Sequence, residues 1–324
     1  MKISAIEPIS PAWNKMVHIL FNPFDFKKWL VLGFCAFLAQ CGEGSGSSGN
    51  PGGGGNPGSS YTEHTVPEMK AWVHEHIELI IVAGIALFIL GILITVLITW
   101  LSSRGKFMFL DGIVKNRGAV KEPWAEYKKE GNNLCIWSLL IRFSAFILFV
   151  GAIVIAFMIA WPDIDAEKFG SSAVNALIVG GGSLLILIVA FVLLDFFIRM
   201  FVIPTMYIRR ISFTQAASIA YSDCVSSNKL PAFCLLCMLF VLGIATAAIV
   251  LAVTCMTCCL AGLPYVSSVV FLPVSVFFTC YALFYLQQFG DEWKFFPRAC
   301  SSCGYSLEGL NEASVCPECG KNEG

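Results

Sequence analysis

The sequence is poor in charged residues. Only 13% of its 324 residues are Asp, Glu, Lys or Arg, whereas 57% are hydrophobic. Soluble globular domains carry about 25% charged residues, so this chain has too little polar surface to be solvated by water alone. The shortage excludes an ordinary soluble fold and favours one that is solvated by a bilayer.

The sequence also lacks the common catalytic signatures. It contains no Gly-rich phosphate loop, no nucleophile elbow and no HExxH motif, since the fourth residue after His74 is Glu78. The net charge is −1, and in residues 289–324 six acidic side chains oppose three basic ones. Because nucleic-acid backbones are bound through basic surfaces, a nucleic-acid partner is disfavoured. The sequence therefore favours a non-enzymatic protein, and it leaves the substrate, the physiological process and the oligomeric state open.

Long apolar stretches predict an all-α integral membrane bundle with about six transmembrane helices. The predicted spans are about 25–41, 79–101, 143–161, 174–194, 232–254 and 266–288. All but the first are long enough to cross ~30 Å of hydrocarbon. The first holds a short apolar run, 29–41, which crosses only if Lys27 and Lys28 snorkel. A re-entrant or interfacial helix is the alternative there, and a lipoprotein signal ending at Cys41 fits poorly because Gln40 precedes the cysteine.

The distribution of Lys and Arg predicts the orientation. With six spans and an inside N-terminus, the inner segments hold 17 of these residues and the outer segments hold two, Lys70 and Lys168. Cytosolic loops are enriched in Lys and Arg, so both termini are expected in the cytosol. The outer loop 42–60 is rich in Gly and Ser and is predicted to be a flexible spacer.

Three cytosolic stretches are predicted to form amphipathic interfacial helices that lead into spans. In the first, Ser10 is a predicted N-cap with Pro11 in the first turn, and in the second Pro123 opens a turn. In the third, Ser212 and Gln215 have the spacing of a capping box. The apolar face of the first comprises Trp13, Met16, Val17 and Leu20.

The C-terminal segment 295–324, which follows the membrane domain 1–294, contains the strongest motif. Its cysteines have the spacing C-x2-C-x12-C-x2-C, formed by Cys300, Cys303, Cys316 and Cys319. Each C-x2-C pair is expected to form a tight turn. Two such turns present four thiolates tetrahedrally, which is the arrangement of a structural Zn²⁺ site. A redox pair or unliganded cysteines are the alternative. We expect a small cytosolic zinc ribbon that stabilises the tail or docks a cytosolic protein.

Three ionisable residues near span ends form a candidate intramembrane polar cluster, namely Arg142, Asp195 and Arg199. Charges within a membrane mark functional sites by default. However, Asp195 and Arg199 are four residues apart and can pair with each other on one helix. Structural pairing and a site for a lipid headgroup or substrate both remain open.

Two groups of residues resemble known families. The segments 11–13, 22–29, 263–265, 272–274 and 285–293 together resemble an uncharacterised family of bacterial multi-pass membrane proteins. That family is distantly similar to the membrane domain preceding some glycerophosphodiester phosphodiesterases. The segments 303–310 and 316–320 are similar to short zinc-ribbon tails of many bacterial proteins. The hydrolase domain has no counterpart in this sequence, so the resemblance implies no hydrolase activity; it implies the bacterial inner (cytoplasmic) membrane.

The sequence therefore leaves two functions open. The first is a non-enzymatic inner-membrane protein that organises partners or lipids and uses its zinc ribbon as a cytosolic docking or stabilising element. The second is a transporter or lipid-handling protein with a site near the fourth span, where Gly180, Gly181 and Gly182 permit close packing.

Overall fold

The computed structural model describes residues 3–41, 76–165, 170–226, 229–257, 264–296, 315, 317, 319 and 320. These residues contain eleven α-helices and no β-strand. In chain order the helices are α1 (Ile9–Phe21), α2 (Phe26–Cys41), α3 (Ile77–Val114), α4 (Lys121–Glu126), α5 (Lys128–Asp165), α6 (Ser171–Phe197), α7 (Ile203–Arg209), α8 (Phe213–Ala220), α9 (Lys229–Met256), α10 (Pro264–Val270) and α11 (Leu272–Gln287).

Four helical segments are long and apolar enough to cross a membrane. They are α3, α5, α6 with its continuation through α7, and α9. They contain the predicted spans 79–101, 143–161, 174–194 and 232–254. At 1.5 Å per residue the 38 residues of α3 reach about 57 Å, which exceeds the ~30 Å of hydrocarbon, so this helix extends well beyond the bilayer.

The first and last predicted spans are helical but shorter. The predicted span 25–41 corresponds to α2, which has 16 residues. The predicted span 266–288 is divided at Phe271 into α10 and α11, and Pro273 lies in the first turn of α11. Proline lacks a backbone N–H and is accommodated at a helix start, which explains the break. The count of six spans therefore stays a prediction.

The hydrophobic core lies at one end of the long helices. Residues 77–98 of α3 are exposed, whereas most of its residues from Thr99 to Ile113 are buried. The core joins this buried half to α1, α2, α8, α11 and the segment 198–207. Within the described residues, most side chains in these apolar halves remain exposed, as expected for helices that face lipid.

Helix α2 runs antiparallel to the buried half of α3. Lys28 Nζ lies 2.6 Å from the side-chain oxygen of Asn116 near the start of α2, and Ser102 Oγ donates to the carbonyl oxygen of Ala39 at 2.8 Å near its end. A Cβ on Gly105 would lie 2.7 Å from the backbone nitrogen of Ala39. Small residues thus bring the two backbones into direct contact.

The interfacial helices agree with the sequence only in part. The prediction of Ser10 as the N-cap was wrong, because α1 begins at Ile9 with Pro8 in the capping position. Met16 and Leu20 are buried as expected, but Trp13 is 57% exposed and lies at the edge of the buried face. The buried stripe instead includes Ala12 and Ile19, since the helix starts earlier and its inward face is rotated.

The other two interfacial helices follow the predicted local chemistry. Pro123 lies in the first turn of α4. At the start of α8, the capping box of Ser212 and Gln215 is confirmed, with both reciprocal hydrogen bonds present. A capping box depends only on residues three apart, which is why the sequence alone identified it.

Candidate functional site

Most of the predicted metal site lies outside the described residues. Cys300, Cys303 and Cys316 are not among them, and Cys319 is exposed. In the part of the chain that the structure describes, no cluster of three or more His, Cys, Asp or Glu side chains could hold a metal ion. Zinc ligation by the four cysteines therefore stays a sequence prediction, as does the character of 42–60.

The three residues of the candidate polar cluster make different contacts. Arg199 lies 2.7 Å from a carboxylate oxygen of Asp195, one helical turn earlier, and both side chains are half-exposed. Arg142 on α5 donates to Thr99 Oγ1 on α3 at 2.5 Å. The ion pair thus lies within one helix, and Arg142 joins two helices.

Arg199 also lines a cavity of about 440 Å³ between α2, α3, α7, α9 and α11. Ligand pockets typically enclose about 300–1,000 Å³. Charge is contributed by Arg199 and by Lys106 on α3, and further polar atoms by Gln40, Ser275 and Thr279. The remaining wall is apolar and includes Phe109, Met200, Leu239, Phe278 and Leu283. This is the composition expected of a site for an amphiphile.

The backbone is irregular on two sides of this cavity. Arg199 and Met200 belong to a π-helical segment, Ile198–Val202, between α6 and α7. Val274, three residues after the break between α10 and α11 at Phe271, also lines the cavity. Single π-helical turns are frequent at functional sites, and interrupted membrane helices often line binding cavities.

A second cavity, of about 760 Å³, lies between α1, α9 and the start of α11. It is lined mainly by apolar side chains, among them Trp13, Ile249 and Phe277. Val274 lines both cavities. Leu235 is the only buried residue within α9, so α9 stands away from the core and leaves both spaces beside it.

A buried carboxylate forms a second polar centre that sequence reasoning missed. Asp111 on α3 is fully buried, and its Oδ1 lies 2.7 Å from Lys115 Nζ and accepts hydrogen bonds from Tyr127 and Tyr207 at 3.3 and 3.1 Å. Its Oδ2 accepts from the Arg117 guanidinium at 2.9 Å. The signal that could have found it is a lone acid inside the apolar run 107–114.

Aromatic rings surround this carboxylate. The ring of Tyr127 stacks on that of Tyr207, at 5.0 Å, and lies nearly parallel to that of Phe107, at 5.8 Å. The Arg210 guanidinium lies 3.8 Å from the centre of the Tyr127 ring. Burial raises the pKa of Tyr127 to about 12, and the carboxylate of Asp111 adds to the effect. Both carboxylate oxygens have partners, so this centre connects helices and leaves no open position for a ligand.

Four lipid-exposed helices attached to one packed core define a multi-pass α-helical membrane protein. DUF7544, a family of unknown function, matches residues 3–216, and the chain belongs to this family. No curated protein and no solved structure matches the chain. The comparisons thus show no similarity to glycerophosphodiester phosphodiesterases or to zinc ribbons, and those resemblances stay hypotheses. The matched segment includes Asp111 and Lys106 as well as Arg199.

Proposed function

We propose that this protein is a non-enzymatic membrane protein that binds an anionic lipid in the 440 Å³ cavity beside Arg199. The observation that supports the proposal is the pairing of two cationic side chains, Lys106 and Arg199, with an otherwise mainly apolar wall. Of the two functions that the sequence leaves open, this arrangement favours lipid handling near the fourth predicted span.

The cavity matches the two parts of a lipid. Lys106 and Arg199, whose guanidinium also pairs with Asp195, would attract a negatively charged headgroup, because ionised donors make stronger hydrogen bonds to phosphate than neutral ones do. Gln40, Ser275 and Thr279 would supply neutral hydrogen bonds. The apolar wall would contact an acyl chain. Such a wall is about as apolar as the surrounding lipid tails, so the chain could enter without loss, and the headgroup contacts would provide the affinity.

Native mass spectrometry of protein purified in mild detergent tests this proposal. We expect an anionic phospholipid to remain bound to the wild type and to be lost from the double variant Lys106→Gln/Arg199→Gln. Thr279→Phe, which fills the cavity without changing its charge, should also lose it. Lys128→Gln is the matched control, because Lys128 is exposed on α5 and outside the cavity. Equal lipid retention in all four proteins would refute the proposal.

Transport of the lipid is the second candidate function. It is supported by the interrupted helices beside the cavity, the π-helical segment 198–202 and the break at Phe271, since transporters place sites at such interruptions. A fluorescent anionic lipid in proteoliposomes separates the two functions. Movement between leaflets that disappears in Lys106→Gln/Arg199→Gln supports transport, whereas binding without movement supports a lipid-organising role.

We also propose the bacterial inner membrane as the location, with six spans and both termini in the cytosol. The Lys and Arg asymmetry of 17 against two supports this orientation, and helices occur at all six predicted positions. A protease added to spheroplasts should cleave within 42–60 and spare the tail. Protection of 42–60 would instead favour α2 as a re-entrant or interfacial helix.

The proposal also includes a metal site in the C-terminal segment 295–324. Cys300, Cys303, Cys316 and Cys319 would hold one structural Zn²⁺, and the folded ribbon would dock a cytosolic protein or stabilise the tail. The C-x2-C-x12-C-x2-C spacing supports this assignment. With four protein ligands no coordination position is open for a substrate, so the metal would have a structural role only.

A further inference from the structure

Arg104 carries a buried positive charge that no described carboxylate neutralises. The residue lies in α3 and is 6% exposed. Its Nε and one terminal nitrogen donate to the side-chain oxygen of Asn132 at 3.3 and 3.0 Å. Its guanidinium carbon lies 4.5 Å from the ring centre of Trp100 and 4.8 Å from that of Trp124. Within the described ranges its neighbours are this amide oxygen, the two indole rings and the thiol of Cys135, which lies close enough to act on it electrostatically.

Hydrogen-bond donors outnumber acceptors around this guanidinium. The Asn132 oxygen also accepts from Trp100 Nε1 at 3.2 Å, so three N–H groups converge on one carbonyl oxygen that has two lone pairs. The second terminal nitrogen of Arg104 donates in neither of these bonds, and it is not among the buried side-chain atoms of the described residues that lack a partner, so it is accessible from outside the protein. Arg142 brings another cation to the neighbouring Thr99. The surroundings of Arg104 are therefore rich in donors, and none of the described carboxylates forms an ion pair with this residue.

A bound anion would compensate this excess of positive charge. Burying a guanidinium without a counterion is costly, and cation–π contacts offset only part of that cost. Position indicates which anion, because Arg104 follows directly after the lipid-exposed half of α3, 77–98. That is the depth at which headgroups lie beside a spanning helix, and tryptophans such as Trp100 and Trp124 are enriched there.

We infer that Arg104 binds a phosphate group, framed by Trp100 and Trp124 and approached by Arg142. The planar guanidinium fork matches phosphate oxygens and makes strong, charge-assisted hydrogen bonds to them. The site is separate from the cavity of the proposed function, since Arg104 contacts α4 and α5 and does not line that cavity. The phosphate can belong to a lipid headgroup or to a free anion.

Tryptophan fluorescence and thermal unfolding of the full chain in detergent test the inference. The probes are inorganic phosphate, a short-chain phosphatidic acid and a short-chain phosphatidylcholine as the zwitterionic comparison. We expect saturable changes in both signals with phosphatidic acid, and Arg104→Gln should weaken binding about tenfold or more because a charge-assisted contact is lost. An equal response to inorganic phosphate would identify a free anion as the source.

Two variants keep the outcome interpretable. Arg104→Lys retains the charge but not the fork, and it should bind more weakly than the wild type while remaining folded. All binding measurements are also made in the Lys106→Gln/Arg199→Gln background, which removes binding in the cavity of the proposed function. Lys294→Gln, exposed and outside both sites, is the control and should leave the response unchanged. An absence of any saturable response in that folded background protein would overturn the inference. So would an affinity that Arg104→Gln and Lys294→Gln reduce equally.

Discussion

The hydroxyl of Tyr207 donates a hydrogen bond of 3.1 Å to the Asp111 carboxylate, across 96 residues of sequence. This contact joins α7, which continues α6 into the packed core, to the buried half of α3. Tyr127, from the connection between α4 and α5, donates to the same oxygen. One buried carboxylate therefore joins three segments that precede or follow predicted spans, and its removal should loosen the packed core.

We expect Asp111→Ala to lower the free energy of unfolding by about 3 kcal/mol, because Lys115 and Arg117 would lose the buried carboxylate with which they pair. Asp111→Asn should cost less, since the amide oxygen can still accept from Tyr207. Glu122→Ala is the matched control, because Glu122 also pairs with Arg117 but is well exposed; its effect should stay below about 1 kcal/mol. Denaturant unfolding in detergent measures all three, and equal losses for Asp111→Ala and Glu122→Ala would contradict the prediction.

Tyr127 should make stability sensitive to alkaline pH. Its folded-state pKa is raised by burial to about 12, above the usual value near 10, so its contribution is complete below pH 10 and is lost as the pH rises through 12. Tyr127→Phe should be less stable than the wild type at pH 8, and the difference should narrow by roughly 1 kcal/mol at pH 11. A difference that stays constant between these pH values would show that the phenol has the same pKa in the folded and unfolded states, which would contradict the prediction.

The contact between α2 and α3 should depend on Gly105. A Cβ there would approach the backbone of Leu38 and Ala39 to 2.7 Å, so Gly105→Ala should separate the helices and cost about 1–3 kcal/mol. At Gly91, on the lipid-exposed half of the same helix, a Cβ would meet nothing within 4 Å. Gly91→Ala should therefore be neutral or slightly stabilising. Thermal unfolding of the two variants side by side checks this contrast.

The tail should contain metal. Protein purified under reducing conditions should hold about one zinc per chain by elemental analysis, and Cys300→Ser/Cys316→Ser should abolish it. Cys237→Ser, at an exposed position on α9, should retain the full content. If freshly reduced wild type contained almost no zinc, the ribbon hypothesis would be wrong, whatever the fate of the membrane domain.

Several features that depend only on residues close together in the sequence could be predicted from it. The four long helices follow from charge-free apolar runs, and the capping box at Ser212 follows from residues within one turn of each other. The break before Pro273, in contrast, divides the predicted span 266–288. The same reasoning misplaced the start of α1 at Ser10 and assigned Trp13 to the buried face. The first error concerns the cap, which Pro8 and not Ser10 occupies. The second concerns which side of a short helix faces the core, and that depends on the neighbours that pack against it.

The sequence alone determined that hydrocarbon is the solvent of this chain, because hydropathy and helical length are properties of contiguous residues. Only the tertiary structure decided which helices meet, and hence which polar groups become buried. Asp111 and Arg104 look alike in the sequence, as single charges after an apolar run. Packing places two cations and two tyrosines around Asp111, so the protein itself neutralises this charge. It places two tryptophans and one amide around Arg104, which is why we infer that an external anion binds there.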